Sequence, residues 1–255
     1  MCCFSRQVIS VSSTNIFARA ADHDRQLLVY GMTISAKDDL AMILPLPIRT
    51  PAGERDVEFI DLKGYPGFFT DLERGFPSGG GGGGGPVAAS ASAATRTDKL
   101  AVVAVGNFEA SFVPTLKDFF RLDERFRLPP NTWEKLPDYK TYGFAVFKLK
   151  PGERTIHPMA FSFPRRDPAT LFFPTVHIHD GKVHPKAAFD HALFCQPTPE
   201  QRPRTQDWRE SYTHPTGFMR VEKTKGIILA DQHCYKRELR GPLPNQDTFL
   251  EMERG

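Results

Sequence analysis

Three histidines fall close together in one stretch, PTVHIHDGKVHP (174–185): His177, His179 and His184, around an Asp-Gly pair at 180 and 181. Neutral imidazole ligates zinc, copper, iron and nickel, so this density points first to a transition-metal site. If Asp180-Gly181 forms a two-residue hairpin turn, counting outward sets Ile178 opposite Val183 and His177 opposite His184. Side chains alternate along a strand. His177, His179 and His184 then project from one face, with Val176, Ile178 and Val183 on the other. Lys182 shares the histidine face and repels a cation there. His191 and Cys195, four apart in FDHALFC, share a strand face and extend the candidate ligand set. The competing reading is a solvent-facing hairpin that simply turns polar side chains outward.

The opening MCCFS is the second place where chemistry concentrates. Removal of Met1 makes Cys2 the amino terminus, and an α-amine with a pKa near 8 can serve as base for its own thiol. N-terminal-nucleophile amidohydrolases work this way, opening with a cysteine that leads into a strand. Arg19 in IFARAAD then resembles the arginine of the Gly-Arg-Asn-x-Asp segment of bile-salt-hydrolase-like enzymes, with Ala18 and Ala20 where that segment has glycine and asparagine. Asp22 stands where the segment keeps its acid. The resemblance implies Cys2 as nucleophile, supported by Arg19 and Asp22. Two other readings stand beside it. Cys2 and Cys3 suit copper or zinc as adjacent soft ligands, or they are buried as small apolar side chains; Arg19 and Asp22 read equally as a solvated pair beside a turn.

Other chemistry-bearing residues are scattered. Cys234 and His233 are adjacent, so on a strand they point to opposite faces. His23, His157 and His214 stand alone in the sequence, and Glu109 and Asp231 interrupt apolar strands.

The elements that must position these groups read mostly as strands. Residues 4–48 are β structure, with STNIFARAA and RQLLVYGMTIS flanking the polar connection DHD. DLAMILPLPI (39–48) is a continuous apolar run, expected to be a strand buried on both faces whose pairing ends at Pro45 and Pro47. YPGFFTDLERGF (65–76) reads as a helix, with Pro66 in its first turn and Phe68, Phe69, Leu72 and Phe76 on one stripe. A Gly/Ala/Ser-rich stretch at about 78–98 lacks large side chains to bury and reads as a flexible insertion interrupting a single domain, 1–255. Strands resume at 99–113, helical patches follow in PTLKDFFRLDERF and PPNTWEKL, and YGFAVFKLK, TIHPMAFSF, PTVHIHD, KVHPKAAFDHALFC, GFMRVEK and GIILADQHCYKREL read as further strands. Without a strand–helix–strand rhythm, Gly-rich phosphate loop or internal repeat, the expected class is α+β, predominantly antiparallel sheet with a few short helices.

Composition excludes several function classes. The 255 residues are 40% hydrophobic and 25% charged, enough to bury a sizeable core. Net charge is only +3 and the basic residues form no patch, which argues against nucleic acid as a partner. No apolar run approaches the roughly 18 residues of a membrane helix, and the start lacks a secretory signal, so the expected location is cytoplasmic. There, four cysteines are thiols or ligands rather than a disulfide framework.

Residues 1–48 also resemble an uncharacterised bacterial family of unknown function. The likeness lies in Cys2-Cys3, the strand STNIFARAADHD ending in an acidic turn, and RQLLVYGMTISAKDDLAMILPLPI. It implies no activity. The functional expectation is therefore binding of zinc or another transition metal through the histidine stretch, extending to a metal-dependent hydrolase if the ion activates water for a small-molecule ligand. The alternatives are a Cys2 amidohydrolase and an interaction or scaffold protein with no site.

Overall fold

The computed structural model describes residues 2–21, 24–77, 100–106, 108–128, 130–179, 182–199, 201–203 and 207–254. Asp22, the Asp180-Gly181 pair and the Gly/Ala/Ser-rich stretch at 78–98 lie outside the described residues. In chain order the strands are β1 (Cys2–Phe4), β2 (Ser10–Ala21), β3 (Arg25–Ala36), β4 (Leu40–Leu46), β5 (Glu58–Asp61), β6 (Val103–Val105), β7 (Phe108–Val113), β8 (Gly143–Leu149), β9 (Gly152–Thr155), β10 (Met159–Pro164), β11 (Thr170–Phe173), β12 (His177–Ile178), β13 (Lys186–Gln196), β14 (Gln201–Pro203), β15 (Arg209–Glu210), β16 (Tyr235–Pro244) and β17 (Thr248–Arg254). Among the described residues, helix is confined to α1 (Phe68–Arg74), α2 (Pro130–Glu134) and short 3₁₀ turns. The fold is largely β, and its sheets are mostly antiparallel.

One sheet runs β12-β1-β4-β8-β7-β6, a second β15-β16-β13-β2-β3-β10-β5 with β9 also on β3, and a third β11-β17-β14. Among the described residues two pairings are parallel, β1 with β12 and β13 with β2. The centre of the second sheet, in β2, β3, β10 and β13, is buried on both faces, and its alternation shows how. Ile16, Ala18, Leu28, Tyr30, Phe161, Leu193 and Cys195 join the main core with β4 and β8. Phe17, Leu27, Val29, Ala160, Ala192 and Phe194 face a smaller core under α1. A strand buried on two faces has no polar face to show, hence the near-continuous apolar runs.

β4 is buried along its whole length, but its pairing does not stop at Pro45. Its ladder with β8 runs through Pro45, opposite Phe144, to Leu46 opposite Gly143. β1 covers only Met42 and Ile43 on the other side, so Pro45 sits where one flank needs no N–H donor.

The strands expected in GFMRVEK and at the start of GIILADQHCYKREL are absent. That chain forms 3₁₀ turns at Pro215–Gly217 and Val221–Lys223, and strand resumes only at Tyr235. Its Phe218, Met219, Ile227 and Ile228 are buried against the smaller core. Side chains from the sheet replace strand partners. Arg19 donates from Nε to Ile227 O (2.7 Å) and from Nη2 to Gly226 O (2.6 Å). Gln196 donates to Leu229 O and Gln232 O and accepts from Leu229 N. Apolar periodicity marked this chain as buried without revealing how its backbone would be satisfied.

Candidate functional site

His177 and His179 belong to a chain segment that is splinted by residues 245–247. Carboxylate oxygens of the half-buried Asp247 accept from Thr175 N (2.9 Å), Val176 N (3.1 Å) and Tyr139 OH (2.6 Å). Burial pushes the Asp247 carboxyl up. Asn245 Oδ1 accepts from His177 N (2.7 Å), and its Nδ2 donates to both His177 O and His184 O, each at 2.9 Å. β12 pairs in parallel with β1, Cys2 opposite His177 and Cys3 opposite Ile178. The expected ladder between His177 and His184 is thus corrected: the two arms are bridged by the Asn245 amide rather than paired with each other.

Three imidazoles do gather, but not the three adjacent in sequence. His177 Nε2 lies 3.2 Å from His191 Nε2, with ring centroids 4.7 Å apart. His179 stacks on His177 at 4.9 Å and 30°. Phe189 packs on His177 at 4.6 Å and Phe4 on His179 at 5.6 Å. His191 comes from β13, where it shares the inner face with Phe189 and Leu193, and it is fully buried. His184 is exposed. It shares a cavity of about 460 Å³ with His177, His179, Phe189, Asp190 and Asn245.

Burial dominates the electrostatics. It drives the His191 pKa down to about 2, helped by His177, and the His177 pKa down to about 3, helped by His179. Both rings are neutral at ordinary pH, as a ligand must be. His191 Nδ1 is buried and has no partner among the described residues, so the Nε2 contact is the polar anchor of this ring. Among the described residues, no group of three or more His, Cys, Asp or Glu side chains stands ready to hold a metal ion.

The remaining sequence candidates fall elsewhere. Cys195 shares the His191 face, but four residues of strand at about 3.3 Å each separate them by about 13 Å, too far to share one ion. It lies in the main core and burial holds its thiol well above the ordinary range. Arg19 is buried and engaged with the 226–227 carbonyls, so its observed task is to anchor that loop. Cys2 pairs through its backbone beside His177; this meeting of the two candidate regions was not legible in the sequence. Nor was the His214–His233 pair, with centroids 4.4 Å apart and His233 Nδ1 2.9 Å from Ser211 O; only the fold of the 211–234 loop brings them together. His157, isolated in sequence, packs on Phe108 at 4.2 Å.

No family model matches the sequence, and no curated protein is similar to it. Among solved structures the chain is similar to baculovirus P35, at 12% identity and a TM-score of 0.48, covering 96% of this chain and 97% of that one. Another is a mutated baculovirus P35 after caspase cleavage, at 13% identity and TM-score 0.48, covering 96% and 99%. The caspase-8/P35 complex gives 11% and 0.48, covering 94% and 96%. A likeness this faint carries no argument about function. No helix among the described residues is long and apolar enough to cross a membrane.

Proposed function

We propose that this chain binds one transition-metal ion, zinc in the first instance, between His177 and His191. The observation that carries the reading is the 3.2 Å separation of their Nε2 atoms. Two nitrogens bound tetrahedrally to zinc at about 2.0–2.1 Å stand about 3.3 Å apart, so the pair is already spaced for an ion. A rotation of the His179 ring, now stacked on His177, supplies a third nitrogen. A three-imidazole ion keeps a position for water, the arrangement in which zinc generates hydroxide at neutral pH.

Zinc titration by calorimetry, with elemental analysis after dialysis, tests this. One ion per chain is expected, lost in His177→Ala and His191→Ala and kept in His184→Ala. Wild-type protein that retains no zinc, or a His191→Ala variant that binds as tightly, overturns the proposal. Metal-dependent hydrolysis of an activated ester, absent from His191→Ala, is the further expectation for the hydrolase form.

One observation supports a second reading, in which Cys2 is the nucleophile of an amide-cleaving enzyme: its register beside His177. Retention of Met1 in the intact mass, or unchanged amidase activity in Cys2→Ser, eliminates it.

A further inference from the structure

We infer that a second site, at the end of β10 and away from the histidines, binds a small aromatic carboxylate through Arg165. Arg165 is 7% exposed and lines a cavity of about 150 Å³ with Tyr142, Phe163, Phe172, Phe249 and Arg166. Its Nη1 donates to Pro168 O (2.8 Å) and Thr170 O (3.4 Å). Nε is buried without an acceptor among the described residues, and both side-chain hydrogen bonds of the guanidinium leave from Nη1. The side without a hydrogen bond is therefore the Nε/Nη2 edge, two parallel N–H donors that can grip both oxygens of one carboxylate once the side chain turns this edge toward the cavity. Asp24 and Asp167 add their fields from nearby without coming within ion-pair distance, and burial holds the guanidinium pKa below its ordinary value. A buried cation with an idle donor edge is costly until an anion meets it.

The walls select what carries that carboxylate. The Tyr142, Phe172 and Phe249 rings form a chain at 6.4 and 5.3 Å between centroids, the spacing of aromatic packing. Phe249 is 49% exposed, an uncovered ring beside an otherwise buried wall. Gln26 is taken up by the Phe172 backbone, accepting its N–H at 2.9 Å and donating to its carbonyl at 2.7 Å. Arg166 lies over the Tyr142 ring and donates to Thr141 O, and Asp167 accepts from Ala169 N. Arg165 thus stands beside an aromatic, single-ring-sized space, with the exposed Arg166 and Asp167 side chains at its rim.

Titrating the full chain with benzoate, and with benzamide as its neutral isostere, tests the inference. Benzoate is expected to bind saturably and at least about tenfold more tightly than benzamide, with Arg165→Gln removing that difference. Phe249→Ala alters an exposed ring, so the fold should survive while benzoate binding weakens several-fold. Should Arg165→Gln fail to fold, the benzoate–benzamide contrast and Phe249→Ala decide the matter. Absence of saturable benzoate binding, as when water alone satisfies the guanidinium, overturns the inference. So does equal binding of both probes, or full-strength binding in Phe249→Ala.

Discussion

At the residue scale, chemistry here is set by burial more than by identity. His177 and His184 are the same residue seven positions apart, yet one is half-buried against a second imidazole and the other is exposed. The cysteines make the same point. Cys195 and Cys234 are both buried, and desolvation raises both thiols, Cys234 to about 12. The thiolate is the reactive form. Native protein treated with N-ethylmaleimide is therefore expected to leave Cys195 and Cys234 unmodified, more than about 100-fold slower than in denaturant. Peptide mapping that finds either labelled at native rates would contradict their placement in the cores. Asn245 has the opposite role: its amide makes three hydrogen bonds to the backbone of His177 and His184. Asn245→Ala is expected to cost about 1–3 kcal/mol in urea unfolding, because it orphans partly buried backbone groups. It should weaken zinc binding as well, since it loosens the strand that aims His177.

At the scale of elements, the helix α1 was legible and its seat was not. Phe68 and Leu72 are buried as the stripe in YPGFFTDLERGF predicts, while the helix is shorter than that stretch: Pro66 precedes it and Phe76 is buried just past its end. The seat depends on Gly31 in β3, where an added Cβ would stand 2.8 Å from the Phe69 ring. Gly31→Ala is expected to destabilise the fold by about 1–3 kcal/mol through overpacking, read as a lower denaturant midpoint at unchanged slope. A neutral result would mean that α1 shifts freely on the sheet. β13 shows the complementary case. Its period-two pattern correctly put His191 and Cys195 on one face, but a shared face is not a shared site. A strand extends too fast for two residues four apart to meet.

For the whole molecule, three neutral imidazoles, His191 buried and His157 and His177 half-buried, should govern acid stability. His157, His177 and His191 all have folded pKa values depressed by burial, the last two to about 3 and about 2. In the unfolded chain histidine titrates near 6.5. Between those values the unfolded chain binds more protons, so stability is full above about pH 6.5 and falls as pH drops toward 3 and 2. At pH 5 the loss should be on the order of 1–2 kcal/mol for each of His177 and His191. Asp247, raised by burial, has the opposite sign: its contribution is present at low pH and lost as pH rises through its folded pKa. Urea unfolding at pH 7 and pH 5, with chelator present, measures the balance. His191→Phe should flatten the dependence, and an unchanged slope would show that the ring is solvated.

The sequence by itself determined composition, the predominance of antiparallel sheet within an expected α+β class, the α1 stripe, the buried β4 run and the presence of a histidine-rich stretch, because these depend on local periodicity and side-chain type. Tertiary structure alone decided which imidazoles meet. His191 reaches His177, only 14 residues away, because β13 runs beside β2 while residues 245–247 hold His177 over it, and no local pattern encodes those two supports, which come from segments 68 residues downstream and near the other end of the chain. The same holds for Arg19, Gln196 and Arg165. Their types announced charge or polarity, but only the fold revealed which carbonyls occupy them and which edge of Arg165 is left over.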